Sequence, residues 1–170
     1  PLGAEVDTSL VLLRGVGCAA RWQGSDIRVL SMPSVCRLEP EAAAQMRASI
    51  LFCAPLLARL GRVETVLPGG CRIGARPIDL HLSGLARMGA HCREEGTRLI
   101  LTAPAGLHGA DITLGFPSVG ATETLLLAAV CAQGETVLRG AAREPEIGDL
   151  AAVLNRCGGC VQGAGTGTVR

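Results

Sequence analysis

An internal repeat constrains this chain more strongly than any other feature of its sequence. Three segments, residues 7–17, 79–89 and 149–158, each open with an aspartate, continue through an apolar stretch, and close with Leu, three further residues and Gly. An aspartate cap, a Leu/Ala-rich stretch and a glycine stop together predict a helix of two or three turns. The aspartates of the last two copies, Asp79 and Asp149, lie about 70 residues apart, which indicates a recurring structural unit.

Strands and a second kind of helix complete the unit. After the first two glycine stops, alternating residues around a Gly-bearing turn predict β-hairpins at residues 18–30 and 91–101. Long apolar runs at residues 41–60 and 119–132 predict helices, and each run is followed by a Glu-Thr-Val-Leu strand. Because these helices are apolar on nearly all sides at their centres, we expect them in the interior.

The units predict a mixed α/β (α+β) domain with helices inside and sheets outside. We expect a partial first unit at about residues 1–40, a second at about 41–103 and a third at about 104–170. The repeat therefore predicts one domain that is incomplete at both ends.

Composition excludes several classes of protein. With 170 residues, of which 48% are hydrophobic, the chain suits one globular domain rather than a disordered one. Aromatic residues make up only 2%, which removes the stacking surfaces that a single-strand nucleic-acid binder uses. The 16 basic residues, all arginine, nearly balance 15 acids, so we expect neither nucleic acid nor a membrane as a partner.

The sequence also favours a cytoplasmic location. No apolar run is long enough to span a bilayer, and the sequence opens without a signal peptide, as if it started in mid-protein. In the cytoplasm, the eight cysteines are expected as reduced thiols.

One loop places a cysteine where it can react. Residues 68–79 contain three glycines and two prolines, a composition typical of a loop that can move. Cys71 lies between Gly70 and Arg72, and Arg76 follows five residues later. Positive charge and backbone N–H groups stabilise a thiolate, so Cys71 is a candidate nucleophile or acid. The alternative is an inert small residue in a turn.

Arg47 is a candidate anion-binding residue. It stands where the apolar run 41–60 becomes fully hydrophobic, and a buried guanidinium must be paired or bound to an anion. A phosphate or carboxylate fits its donor geometry. The alternative is a structural ion pair with one of the chain's acids.

Other motifs have simpler interpretations beside the functional ones. Residues 116–123 enter a helix through Pro, Ser and Gly, which predicts a phosphate-binding helix start or an ordinary N-cap. The Cys157–Cys160 pair lacks partners for a zinc site and falls at a helix stop. His81 lies near Cys71 and could help to orient a ligand, and the acids of residues 143–146 suit the first turn of a helix.

Four segments together resemble the UDP-N-acetylglucosamine 1-carboxyvinyltransferase family of enolpyruvyl transferases. They are residues 45–49 (Gln-Met-Arg-Ala-Ser), 68–82 (with Gly-Gly-Cys and Gly-Ala-Arg-Pro), 116–123 (Phe-Pro-Ser-Val-Gly-Ala-Thr-Glu) and 141–147 (with Ala-Arg-Glu-Pro-Glu). The resemblance runs from about residue 6 to residue 170 and implies an inside-out α/β barrel of three repeated units, with a second domain across a cleft. It implies transfer of the enolpyruvyl group of phosphoenolpyruvate to the 3-hydroxyl of UDP-N-acetylglucosamine, with release of phosphate.

The resemblance also implies roles for individual residues. Cys71 would be the loop cysteine that donates a proton, forms a covalent adduct with phosphoenolpyruvate and is alkylated by fosfomycin. Arg47 would bind the nucleotide sugar, and Arg76 would also face phosphate. The other expected contacts with the nucleotide sugar are Pro77, Ile78, Asp79, Leu80, Phe116, Pro117, Ser118 and Val119.

The implied partners are the two substrates and a second domain of the same polypeptide, and we expect no cofactor or metal ion. Because the chain has no lysine and lacks that second domain, it is expected to be inactive alone. Two alternatives remain: a non-catalytic nucleotide-sugar binding module or pseudoenzyme fragment, and a repeat scaffold whose arginines form structural pairs.

Overall fold

The computed structural model describes residues 3–67 and 78–170, in which helices and strands alternate along the chain. The helices are α1 (Ala4–Gly15), α2 (Pro40–Gln45), a 3₁₀ helix (Arg47–Phe52), α3 (Cys53–Leu60), α4 (Asp79–Arg87), α5 (Val119–Ala129) and α6 (Pro145–Arg156). The strands are β1 (Ala20–Gln23), β2 (Asp26–Val29), β3 (Arg62–Val66), β4 (His91–Glu95), β5 (Arg98–Thr102), β6 (Asp111–Thr113), β7 (Val137–Arg139) and β8 (Thr168–Val169). The predicted mixed α/β class and the first two hairpins are confirmed.

The sheets of the second and third predicted units share a strand arrangement. In the second unit the strand order is β3-β5-β4, with both pairs antiparallel, and Arg37 bridges in parallel to Glu64 on the free side of β3. In the third unit β6 pairs in parallel with β7, and β8 pairs with β7 from the other side. In both units one strand, β3 or β7, therefore has a parallel segment on one side and an antiparallel strand on the other.

The predicted glycine stops are confirmed in all three copies of the segment. Gly17, Gly89 and Gly158 follow α1, α4 and α6 with φ values of 88°, 95° and 96°, a region that side chains rarely adopt. One residue later, the backbone N–H bonds back to a leucine carbonyl at 3.0, 3.0 and 2.9 Å in the three copies. These are three copies of one Schellman stop, which satisfies carbonyls that the helix end leaves without partners.

The predicted aspartate caps are wrong. Helix α1 begins at Ala4 and α6 at Pro145, so Asp7 and Asp149 both lie inside their helices, and Asp79 is the first residue of α4 rather than its cap. Proline at the first helical position has a fixed φ that suits a helix start, which explains why α6 begins before its aspartate.

The prediction of a single helix over the apolar run at residues 41–60 is also wrong. The backbone is extended at Met46 (φ −115°, ψ 113°), which separates α2 from the 3₁₀ helix. The Ser49 hydroxyl donates 2.9 Å to the Ala43 carbonyl at this break. Pro55, near the start of α3, has no N–H to donate to the carbonyl of Leu51, so a continuous α-helix would lose a bond there.

Helix α5 forms the centre of the core. It contacts α3, α4, α6 and the 3₁₀ helix, and Ala121, Leu125, Leu126 and Ala128 are buried along it. Strands β2 and β4 are mostly exposed, whereas β5 is largely buried. The described residues form three separate sheets and no closed barrel. Within the same residues, no helix is long and apolar enough to cross a bilayer.

Candidate substrate site at two helix N-termini

Helices α4 and α5 run side by side in the same direction. His81, in the first turn of α4, contacts the start of α5, and Gly84, one turn later, faces Leu125, one turn further along α5. The N-termini of both helices therefore lie at the same end of the core. A helix N-terminus carries partial positive charge and backbone N–H groups without intrahelical partners, and both features favour an anion.

The start of α5 is capped as the sequence predicted. Ser118 is its N-cap, and the Ser118 hydroxyl accepts a hydrogen bond of 3.3 Å from the Ala121 N–H. Val119 is the first helical residue, while Pro117 and Phe116 are exposed in front of it, Phe116 to 59%. The predicted contact residues at this turn therefore share one accessible edge, with an exposed aromatic ring beside the helix N-terminus.

The start of α4 contributes a second edge. Ile78 is its N-cap residue, and both Ile78 and Leu80 are half-buried with their side chains against the core. Asp79 lies exposed between them. The apolar neighbours thus fix the backbone while the polar residue faces outward.

His81 links the two edges. Its imidazole is 5% exposed, and its Nδ1 lies 2.8 Å from Oγ1 of the fully buried Thr124. Burial lowers the pKa of His81 to about 4, and the positive charge of Arg47 contributes. At neutral pH the ring is therefore uncharged.

Arg47 lies close to this pair but is exposed, so its predicted burial is wrong. The extended backbone at Met46 turns the Met46 side chain into the core, where it is 4% exposed, and leaves Arg47 on the outside. Among the ion pairs that the described residues form with one another, none includes Arg47. A structural ion pair of Arg47 is therefore not observed among the described residues, and the exposed guanidinium is accessible to an anion.

Three predicted site residues, Cys71, Arg76 and Pro77, lie outside the described residues. The structure brings together the other eight: Arg47 near His81, Ile78 to Leu80 at the start of α4, and Phe116 to Val119 at the start of α5.

Sequence reasoning missed the buried threonines of α5. The Thr122 hydroxyl donates a 2.8 Å hydrogen bond to the Ser118 carbonyl and accepts one of 3.0 Å from the Ala142 N–H, so it connects the α5 start to the turn before α6.

Burial raises the pKa of Glu123, and the nearby Glu146 carboxylate raises it further. Glu146 lies in the first turn of α6, as predicted.

A cavity of about 440 Å³ lies at the other end of α5. Its lining includes Val130, Cys160 and Thr136, and the Thr136 hydroxyl is buried with no hydrogen-bond partner in the described part of the chain. None of the candidate site residues that the structure describes lines this cavity.

Comparison with known proteins gives the class. The family model for EPSP synthase (3-phosphoshikimate 1-carboxyvinyltransferase) matches residues 1–170. Two solved structures share the fold: the enolpyruvyl transferase NikO from Streptomyces tendae (TM-score 0.80, 24% identity, 98% of this chain and 39% of that one) and EPSP synthase from Acinetobacter baumannii (TM-score 0.73, 19% identity, 99% and 39%). The chain belongs to the EPSP synthase family of enolpyruvyl transferases.

Two relatives with higher sequence identity share a more specific name. The chain is 50% identical over 167 residues to a UDP-N-acetylglucosamine 1-carboxyvinyltransferase of Acidiphilium cryptum (strain JF-5). It is 48% identical over 171 residues to a protein of the same name from Nitratidesulfovibrio vulgaris (strain DP4). Each match covers 98% of this chain and 40% of the relative, so the chain spans about two fifths of the length of these relatives.

Proposed function

We propose that this chain forms the nucleotide-sugar half of an enzyme that transfers the enolpyruvyl group of phosphoenolpyruvate to the 3-hydroxyl of UDP-N-acetylglucosamine. Phosphate is released, and the product is a peptidoglycan precursor. The observation that carries the proposal is the convergence of Arg47 with the N-termini of α4 and α5 at one end of the core. The relatives that share about half of its residues support the choice of substrate.

The edge suits a nucleotide diphosphate. Backbone N–H groups at two helix starts address phosphate oxygens without carrying a mobile charge, and the Arg47 guanidinium adds charged hydrogen bonds. Phe116 and Leu80 supply apolar surface of the kind that a base or ribose covers. Ile78, Asp79, Pro117, Ser118 and Val119 provide the remaining contacts on this edge, and the family resemblance adds Arg76 and Pro77 as expected contacts with the nucleotide sugar.

The chemistry belongs to the loop and to a second domain. Cys71 delivers a proton to the methylene carbon of phosphoenolpyruvate while the sugar 3-hydroxyl gives its proton to a base of the second domain and its oxygen bonds to the adjacent carbon. Phosphate then leaves as the new methyl group loses a proton, which restores the double bond of the enolpyruvyl ether. A positioned acid and fixed cationic donors stabilise the charge that develops, in a cleft that closes against water. The chain would form an inside-out α/β barrel domain of three repeated units, at about residues 1–40, 41–103 and 104–170, incomplete at both ends. The enzyme would act in the cytoplasm, and these 170 residues would be inactive without the second domain.

Calorimetric titration of the full-length gene product with UDP-N-acetylglucosamine tests the proposal. Arg47→Ala should weaken binding at least about tenfold, because it removes a charged hydrogen bond. Arg59→Ala, at an exposed arginine in the last turn of α3, is the matched control and should bind like wild type. Equal affinity of all three proteins, or no binding by the wild type, would contradict the proposal.

Turnover separates the proposal from a binding module. The full-length gene product should convert phosphoenolpyruvate and UDP-N-acetylglucosamine to phosphate and the enolpyruvyl ether. Binding without turnover in that protein would favour the non-catalytic alternative.

A further inference from the structure

We infer that His81 is a positioning residue that holds the first turns of α4 and α5 in register, so that both helix N-termini address the same diphosphate. The inference rests on the proposed function and deepens it, because it names the side chain that sets the geometry of the binding edge.

The contacts of His81 reach α5 at two points. Its Nδ1 lies 2.8 Å from the Thr124 hydroxyl, in the second turn of α5. Its other ring edge lies against Gly120 in the first turn, where a Cβ would be 3.2 Å from Cε1 and 3.4 Å from Nε2. Two contacts one turn apart fix both the distance and the rotation of α5 relative to α4.

The site is built to accept a ring of this size. Gly120 leaves the space that the ring occupies, and it directly follows Val119, one of the expected diphosphate contacts. Either tautomer of the imidazole can bond Thr124, because a threonine hydroxyl both donates and accepts. A different side chain at position 81 would therefore change the position of the α5 N-terminus before it changed anything else at the edge.

The surroundings of His81 favour an uncharged imidazole ring. Arg47, at the start of the 3₁₀ helix, is close enough for its charge to lower the pKa of His81. Asp79 lies two residues before His81 on α4, and Glu123 is the neighbour of Thr124 on α5. Burial and Arg47 together lower the pKa of His81, so the ring adds no charge at neutral pH. Arg47 and the backbone N–H groups then provide the positive potential, while His81 provides the geometry. A shift of about 1 Å in such an edge is enough to weaken binding severely.

Kinetics of the full-length gene product test the role of His81. His81→Leu keeps bulk but removes the hydrogen bond to Thr124 and the flat ring edge against Gly120, and it should raise KM for UDP-N-acetylglucosamine about tenfold while KM for phosphoenolpyruvate stays within about twofold. His81→Asn keeps an amide near the Nδ1 position and should recover most of the loss. His91→Asn, at an exposed histidine on β4, should behave like wild type. An unchanged KM for the nucleotide sugar in His81→Leu, or equal increases for both substrates, would overturn the inference.

Gly120→Ala provides an independent test. The added methyl meets the ring of His81, so this variant alone should weaken nucleotide-sugar binding. Asparagine at position 81 is shorter than histidine and leaves room for the same methyl. The fold loss of nucleotide-sugar affinity in the double variant should therefore be smaller than the product of the two single-variant losses. Additive effects would contradict direct contact between the two positions.

Amide chemical shifts separate this inference from the proposed function. Without any ligand, His81→Leu should shift the ¹⁵N–¹H resonances of Val119 and Gly120. If the wild type fails to bind UDP-N-acetylglucosamine, the proposed function falls whatever these shifts show. If the wild type binds but these amides do not move in the variant, the positioning role falls alone.

Discussion

The hydroxyl of Thr122 accepts a 3.0 Å hydrogen bond from the backbone N–H of Ala142, and both residues are completely buried. The same hydroxyl donates to the Ser118 carbonyl at 2.8 Å. One side chain thereby connects the N-cap of the central helix to the turn that leads into α6. The start of α5 is thus fastened to the turn before α6 as well as to α4.

Thr122→Val should lower the free energy of unfolding by about 1–3 kcal/mol, because it leaves the buried Ala142 N–H without its acceptor. Thr122→Ser keeps the hydroxyl and should lose less. Urea unfolding monitored by circular dichroism measures the difference. Equal stability of the valine and serine variants would show that the hydrogen bond contributes nothing.

Glu64 should make the stability depend on pH. Its carboxylate contacts Arg37, Arg62 and Arg98 at 2.8, 2.7 and 2.9 Å. Hydrogen bonds from Arg62 and Arg37 lower the pKa of Glu64 from 4.5 to about 2. A lowered carboxyl pKa stabilises the fold fully above the unfolded value of 4.5, and that contribution is lost as the pH falls towards 2.

Glu64→Gln should therefore cost about 1–2 kcal/mol at pH 7, since the arginines are about half exposed and solvent weakens the pairs. The difference between wild type and variant should shrink as the pH is lowered from 4.5 to 2.5. Glu94→Gln, at an exposed acid on β4, serves as the control. A difference that stays constant over this pH range would contradict the assigned role.

Two glycine-to-alanine substitutions in helices should have opposite signs. At Gly84 a Cβ would lie 2.5 and 2.7 Å from the methyl carbons of buried Leu125, so Gly84→Ala should destabilise by about 1–3 kcal/mol. At Gly148, inside α6, nothing lies within 4 Å, so Gly148→Ala should stabilise by about 0.5–1 kcal/mol. Thermal unfolding of both variants checks the pair, and a gain in stability at Gly84 like the one expected at Gly148 would contradict close contact between α4 and α5.

Features set by local backbone requirements could be predicted from the sequence. The stops at Gly17, Gly89 and Gly158 need a positive φ, and each glycine is visible in the sequence. The first two hairpins were predictable for the same reason, because Gly24 and Gly96 stand in their turns with φ values of 64° and 62°. The Ser118 cap follows from the preference of serine for that position.

Features set by packing between distant segments could not be predicted. His81 and Thr124 are 43 residues apart, and no local pattern connects them. The outward position of Arg47 depends on the break at Met46, which hydrophobic periodicity does not reveal because Met46 is itself buried. The aspartate caps failed because helix starts are less sharply encoded than glycine stops, and Pro145 outweighs Asp149.

Alkylation of Cys71 by fosfomycin, followed by intact mass and peptide mapping of the full-length gene product, tests the central claim most directly. With UDP-N-acetylglucosamine present, the thiol should open the epoxide and give one adduct per chain, on Cys71, and the Cys71→Ser variant should give none. Cys53 is fully buried, and burial raises its pKa to about 12, so the competing thiols are the exposed Cys92, Cys131, Cys157 and Cys160. An adduct on those thiols, or labelling that persists in Cys71→Ser, would contradict the assignment of this chain as half of an enolpyruvyl transferase site.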